Sequence, residues 1–206
     1  MKRYSSVLMF TVIAASAVFA QAPKGWKMRV DRSATASDPD APGNIKFVTM
    51  GTGFHATNPQ AAVYWNPQNT ATGNYTLKAS FTLMKPSGHT NYYGLIFGGS
   101  DLDGPQQKYT YFMVAQDGTW LIKRRDGDAS TSDVAKKPDD AVKKPGGDGK
   151  SINALEVRVA GDKIDYVVNG KVVQSTPRSG VKTDGIYGIR VNHLLEVQVD
   201  GFSVTK

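Results

Sequence analysis

The segment Asn153-Ala154-Leu155-Glu156-Val157-Arg158-Val159-Ala160 leads through Gly161-Asp162 into Lys163-Ile164-Asp165-Tyr166-Val167-Val168, and Asn169-Gly170 then opens Lys171-Val172-Val173. Leu155, Val157 and Val159 alternate with Glu156 and Arg158, which is the period of a strand with one apolar and one charged face. Ala160-Gly161-Asp162 turns the chain, and Ile164, Tyr166 and Val168 resume the alternation. Asn-Gly supplies two residues that tolerate positive φ, as a type I′ hairpin turn requires. The stretch therefore predicts consecutive antiparallel strands.

The same period recurs outward in both directions. Tyr75, Leu77, Ala79, Phe81 and Leu83 alternate with Thr76, Lys78, Ser80 and Thr82, a long strand with one wet face. Shorter strands are expected at Trp26–Val30, Ile45–Met50, Gly53–Thr57 and Ala61–Trp65. Tyr92 to Gly98 is apolar throughout, as in a strand covered on both faces. Tyr109–Ala115 and Thr119–Lys123 flank the turn Gln116-Asp117-Gly118, while Gly185–Val191 and Leu195–Val204 close the chain. Arg125 to Lys150 breaks the pattern. It is rich in Asp, Lys, Gly and Pro, and it reads as a long, mobile surface loop. About a dozen short strands without helical periodicity predict an all-β, two-sheet antiparallel β-sandwich in a single domain, residues 21–206.

Residues 1–20 read as an export leader. Lys2 and Arg3 precede an apolar run, Val7 to Phe19, that is too short to span a bilayer, and Val18-Phe19-Ala20 offers a cleavage site. The mature chain is expected in the periplasm or outside a bacterial cell, with no membrane span. It contains no cysteine, so about 186 residues must be held by their core alone, enough to bury roughly 70% of the unfolded surface. Removing Lys2 and Arg3 lowers the formal charge from +7 to +5. No continuous basic stripe remains, which argues against nucleic acid as a partner.

Four segments taken together resemble the concanavalin A-like, laminin G-like jelly rolls: Asn153 to Val159, Ile164 to Gly170, Gly185 to Arg190, and Val197 to Val204. Tyr93-Gly94-Leu95-Ile96-Phe97 and Tyr111-Phe112-Met113-Val114 look like middle strands of that group. The chain is also similar to secreted bacterial 3-keto-disaccharide hydrolase domains. The resemblance implies two stacked sheets, one concave, with carbohydrate held on the concave face in many relatives.

The chain has two glutamates, Glu156 and Glu196, each without a second acid two residues away, so the paired-carboxylate strand of the glucanases on this fold is absent. Asp101-Leu102-Asp103-Gly104 suits a plain turn. Its alternative is calcium at a rim loop, on Asp101 and Asp103, although the further oxygens of an EF-hand are missing. His55, His89 and His193 show no zinc spacing. Rings beside amides and cations remain the best lead, with core packing as the competing reading. Asn91, Tyr92, Tyr109, Tyr111, Trp120, Lys123, Arg190, Asn192 and His193 would form a glycan-binding face, with Tyr109, Tyr111 and Met113 on one side of their strand and Phe112 and Val114 on the other. The expected function is a carbohydrate-binding, lectin-like module without a required cofactor. The alternatives are a sugar hydrolase or lyase of the keto-disaccharide type, and a protein-interaction module using the 125–150 loop.

Overall fold

The computed structural model describes residues 22–31 and 40–206; the expected leader and cleavage site lie outside them. Among the described residues, fourteen strands form two seven-stranded antiparallel sheets. The first sheet has the order β1 (Lys27–Val30), β4 (Ala62–Ala71), β13 (Gly185–Val191), β6 (Tyr92–Ser100), β7 (Lys108–Ala115), β8 (Thr119–Asp126), β9 (Ala129–Pro138). The second has the order β12 (Lys171–Pro177), β11 (Lys163–Val168), β10 (Ser151–Ala160), β5 (Tyr75–Lys85), β14 (Leu195–Thr205), β3 (Gly53–Asn58), β2 (Lys46–Met50). This is the β-sandwich expected from the alternation. Among the described residues there is no helix, and hence none long and apolar enough to cross a membrane.

The deciding segment folds as read. Leu155 pairs with Val168, Val157 with Tyr166 and Val159 with Ile164, so all six side chains share the core face. Asn169 and Gly170 have φ of 49° and 85°, the two left-handed positions of the turn. β5 sits in the middle of the second sheet with Tyr75, Leu77, Ala79, Phe81 and Leu83 buried, and β6 in the middle of the first is buried along nearly its whole length. Between the sheets, Phe81 meets Tyr93 at 5.8 Å, and Phe97 and Phe112 meet Tyr166 at 6.3 and 5.3 Å between ring centroids.

Arg125 to Lys150 is not one mobile loop. Its first half completes β8 and forms β9, returning at Gly127, whose φ is 55°. β9 is an edge strand exposed on both faces apart from Val134, which packs on the core. A strand with two wet faces carries no apolar period, and that is why the composition read as loop. The second half is pinned to the β10–β12 hairpin. Asn153 exchanges hydrogen bonds with both backbone groups of Lys143, at 2.8 and 3.0 Å, and Asn169 Nδ2 donates to Ala141 O at 2.7 Å. Val142 is buried there.

Asn169 thus supplies the turn geometry and also anchors the segment. Its Oδ1 accepts the Ala154 N–H at 2.8 Å, and its Nδ2 also donates to Asn153 Oδ1 at 2.9 Å. Asn169→Ala is expected to cost about 2–4 kcal/mol, from lost buried hydrogen bonds and a strained positive φ. Asn169→Gly should recover the backbone part only. Urea midpoints of the three proteins would order wild type, Gly, Ala; equal midpoints would show that the side chain anchors nothing.

Candidate functional site

The outer face of the first sheet can be laid out in rows from its register. Arg190 pairs with Gly94, Gly94 with Met113, and Met113 with Leu121. The next row along holds Tyr111 opposite Lys123, and the one after it Tyr109 opposite Arg125. The parity reading holds: Tyr109, Tyr111 and Met113 belong to an apolar cluster on this outer face, with Trp65 and Leu121, whereas Phe112 and Val114 face the inter-sheet core.

This face is a hollow. In a flat sheet β1 and β8 would lie about 24 Å apart, five strand spacings of about 4.8 Å. Yet Asp31, the residue after β1, has its carboxylate 2.9 Å from Arg125 Nη2 on β8. Arg29, within β1, donates to the carbonyls of Leu102 and Gly104 in the β6–β7 connection. The sheet is therefore rolled toward its outer side, with Asp31 inside the roll.

Asp31 is the centre of a buried ion cluster. Arg190 Nε donates to Oδ2 at 3.0 Å and Nη2 to the Asp31 carbonyl at 2.9 Å, while the Tyr109 hydroxyl and Gln107 Nε2 also donate to the carboxylate. Arg190 continues to Asn192 Oδ1 and lies over the Tyr111 ring, with Cζ 5.1 Å from the centroid. Burial alone would raise the Asp31 pKa, but Arg190, the Tyr109 hydroxyl and Arg125 outweigh it and hold the carboxyl below its ordinary value. Burial raises the pKa of Tyr109 and Tyr111, so both remain neutral donors. Among the described residues, Gln107 Oε1 is buried without a hydrogen-bond partner.

The nine residues anticipated from the sequence separate accordingly. Tyr109, Tyr111, Arg190 and Asn192 meet in the hollow with Lys123 on the same face, and the Tyr92 carbonyl accepts the Asn192 N–H at 2.9 Å. Tyr92, Lys123 and Asn192 are partly exposed; Tyr109, Tyr111 and Arg190 are buried. Trp120 does not belong to the face. It is 2% exposed in the inter-sheet core, edge-on to Phe112, because its parity on β8 is opposite to that of Lys123.

Asn91 and His193 belong to a second cluster at the end of the sandwich. His193 Nε2 lies 2.9 Å from His89 Nε2, and Asn91 Nδ2 lies 3.1 Å from the latter atom. The histidines were separated on chain distance, and the fold brings two of them together. Asp31, Gln107, Arg125, His89 and Asp40 were missed. For Arg125 a signal existed, since it shares parity with Lys123. For Asp31 there was none, because its partners come from β7, β8 and β13.

The Asp101–Gly104 loop does not suit calcium. Asp101 accepts the Gln106 N–H at 3.0 Å, which closes its own turn, and Asp103 pairs with Lys27. Arg29 takes the Gly104 carbonyl, so two cationic side chains already occupy the oxygens a calcium ion would need. A Cβ on Gly104 would lie 2.2 Å from Asp101 Oδ1, so the turn itself requires glycine there.

No family model matches the chain, and no curated protein matches it. Solved structures do. A carbohydrate-binding module, CBM66, from Bacillus subtilis superposes with a TM-score of 0.61 at 14% identity, over 88% of this chain and 96% of that one. A Bacillus subtilis protein of unknown function with a galectin-like fold gives 0.59 at 13% identity, over 88% and 89%. A Bacteroides ovatus mixed-linkage glucan GH16 protein gives 0.59 at 8% identity, over 90% and 97%. The chain has the concanavalin A-like jelly-roll fold of these proteins. None of the three is a 3-keto-disaccharide hydrolase, so that likeness rests on sequence motifs alone.

Two substitutions separate packing from recognition. Asp31→Asn should cost about 3–5 kcal/mol at pH 7, since it leaves two buried guanidiniums without their anion. A lowered folded pKa means that this contribution is complete above about pH 4 and is lost as pH falls further, through the folded value. The gap between wild type and variant in urea unfolding should therefore narrow only below about pH 4; a pH-independent gap would mean that Asp31 carries no charge in the fold. Trp120→Ala should cost about 3–5 kcal/mol through its cavity, and a melting temperature within a degree of wild type would remove Trp120 from the core.

Proposed function

We propose that the chain is an exported carbohydrate-binding module that holds a glycan on the hollow outer face of the first sheet, without cleaving it. The observation that carries this reading is the row structure of that face. Tyr92, Lys123 and Asn192 reach solvent beside a guanidinium, Arg190, fixed over the Tyr111 ring. Fixed planar donors beside rings suit the alternating hydroxyl and C–H faces of a sugar. The likeness to a carbohydrate-binding module over nearly the full length of both chains supports the same reading.

The carboxyls argue against a glycosidase that works through a carboxyl general acid. A general acid needs a raised pKa, and the displaced carboxyls, Asp31, Asp117, Asp139 and Asp165, are all lowered. Both glutamates are paired as well, Glu156 with Arg158 at 2.8 Å and Glu196 with His55 at 3.1 Å.

Contacts of this kind are individually weak, so a millimolar to micromolar affinity, about −4 to −8 kcal/mol, is expected. A glycan panel read by calorimetry should find a ligand that Tyr92→Ala, Lys123→Ala and Asn192→Ala each weaken about tenfold at unchanged melting temperature. Chromatography of the bound glycan should show no new product. Failure to bind any glycan would end the proposal, and turnover would move the chain to the enzymes.

A further inference from the structure

The hollow on the first sheet carries an unbalanced charge. Four cationic side chains face it: Arg29 on β1, Lys123 and Arg125 on β8, and Arg190 on β13. Arg125 and Arg190 share the Asp31 carboxylate at 2.9 and 3.0 Å, and Asp128 approaches Arg125 from the rim at 4.0 Å. Arg29 is tied to the Leu102 and Gly104 carbonyls at the edge of the roll, beside the ion pair of Lys27 with Asp103. Among the described residues, Lys123 pairs with no carboxylate.

Lys123 is also the cation a ligand can reach. It is half-buried between Tyr111 on β7 and the exposed Ser132 on β9, whereas Arg125 and Arg190 are buried. Asp31 does not repel an anion arriving there. It is 1% exposed, and two guanidiniums, a tyrosine and a glutamine enclose its carboxylate. A partly desolvated ammonium gains more from an oxyanion than from a neutral hydroxyl. The charge-assisted bond is about twice as strong, and the surrounding rings screen it less than bulk water does.

The remaining exposed polar groups of the face lie some way off. Tyr92 pairs with Ala115, four residues along β7 from Tyr111, which is about 13 Å at 3.3 Å per residue. That length suits an oligosaccharide and exceeds a single sugar. We infer that the ligand is an acidic oligosaccharide whose carboxylate or sulfate is received by Lys123, with its further rings running toward Tyr92 and Asn192. The inference rests on the glycan-binding reading of this face. An ammonium is a point charge without the fork of a guanidinium, so it takes either oxyanion.

Pectate, alginate and dextran sulfate, each beside its carboxyl-reduced or desulfated counterpart, test this by calorimetry. At least one acidic form should bind roughly tenfold tighter than its neutral counterpart. Raising NaCl from about 50 to about 500 mM should shrink that preference. The carboxylate and sulfate arms tell which oxyanion is taken. Lys123→Gln should remove the preference and Lys123→Arg should restore most of it. Lys78→Gln, which removes the same charge from the outer face of the second sheet, should change nothing. An equal loss in Lys78→Gln would reduce the effect to the net charge of the chain and overturn the inference. Neutral glycans that bind as tightly as acidic ones would also overturn it while leaving glycan binding in the hollow intact; no binding by any glycan would end both.

Discussion

The layer of rings and branched side chains between the sheets is the contact on which everything else rests. With no cysteine in the chain, no covalent link supports it. Phe81 against Tyr93, and Phe97 and Phe112 against Tyr166, reach from one sheet to the other, and each buried ring contributes about 1.5–3 kcal/mol. Two polar pairs inside the layer satisfy each other. The Tyr64 hydroxyl donates to Asn58 Oδ1 at 2.6 Å, and Asn153 Nδ2 donates to the Tyr93 hydroxyl at 3.3 Å. Because the layer consumes every second residue of the central strands, what remains for recognition is whatever the opposite parity places outside.

The two outer faces use that remainder differently. On the second sheet it is Thr76, Lys78, Ser80, Glu156 and Arg158, a wet surface. On the first it is a second apolar cluster rolled around a carboxylate held by two guanidiniums. Two cations and one anion buried together are costly unless their hydrogen bonds are met. Here a tyrosine and a glutamine add two further donors to the carboxylate. The cluster ties the short strand β1 to β7, β8 and β13, and so holds the curvature that makes the face a hollow.

Much of this was legible in the chain itself. The hairpin from Asn153, the wet-faced strand β5 and the split of Tyr109 and Tyr111 from Phe112 all follow from period two, which is local information. The misread positions fail for equally physical reasons. β9 has solvent on both sides and therefore no period. Trp120 was grouped with Lys123 by composition, whereas parity alone would have separated them. Asp31 and the histidine pair depend on partners 76 to 159 and 104 positions away, respectively. No pattern within a window of ten residues carries such pairings.

The bare margin of β9 has a consequence for how these molecules meet one another. Ten residues with one backbone edge that pairs with no strand among the described residues form a template onto which a neighbouring chain could polymerise. Lys136, Lys137 and Pro138 stand at its far end, where charge repulsion and a missing N–H hinder such growth. At the near end Ala129, Ser130 and Thr131 offer little grease for a fibril to zip. At that margin the charges and the missing N–H disfavour pairing with a second chain.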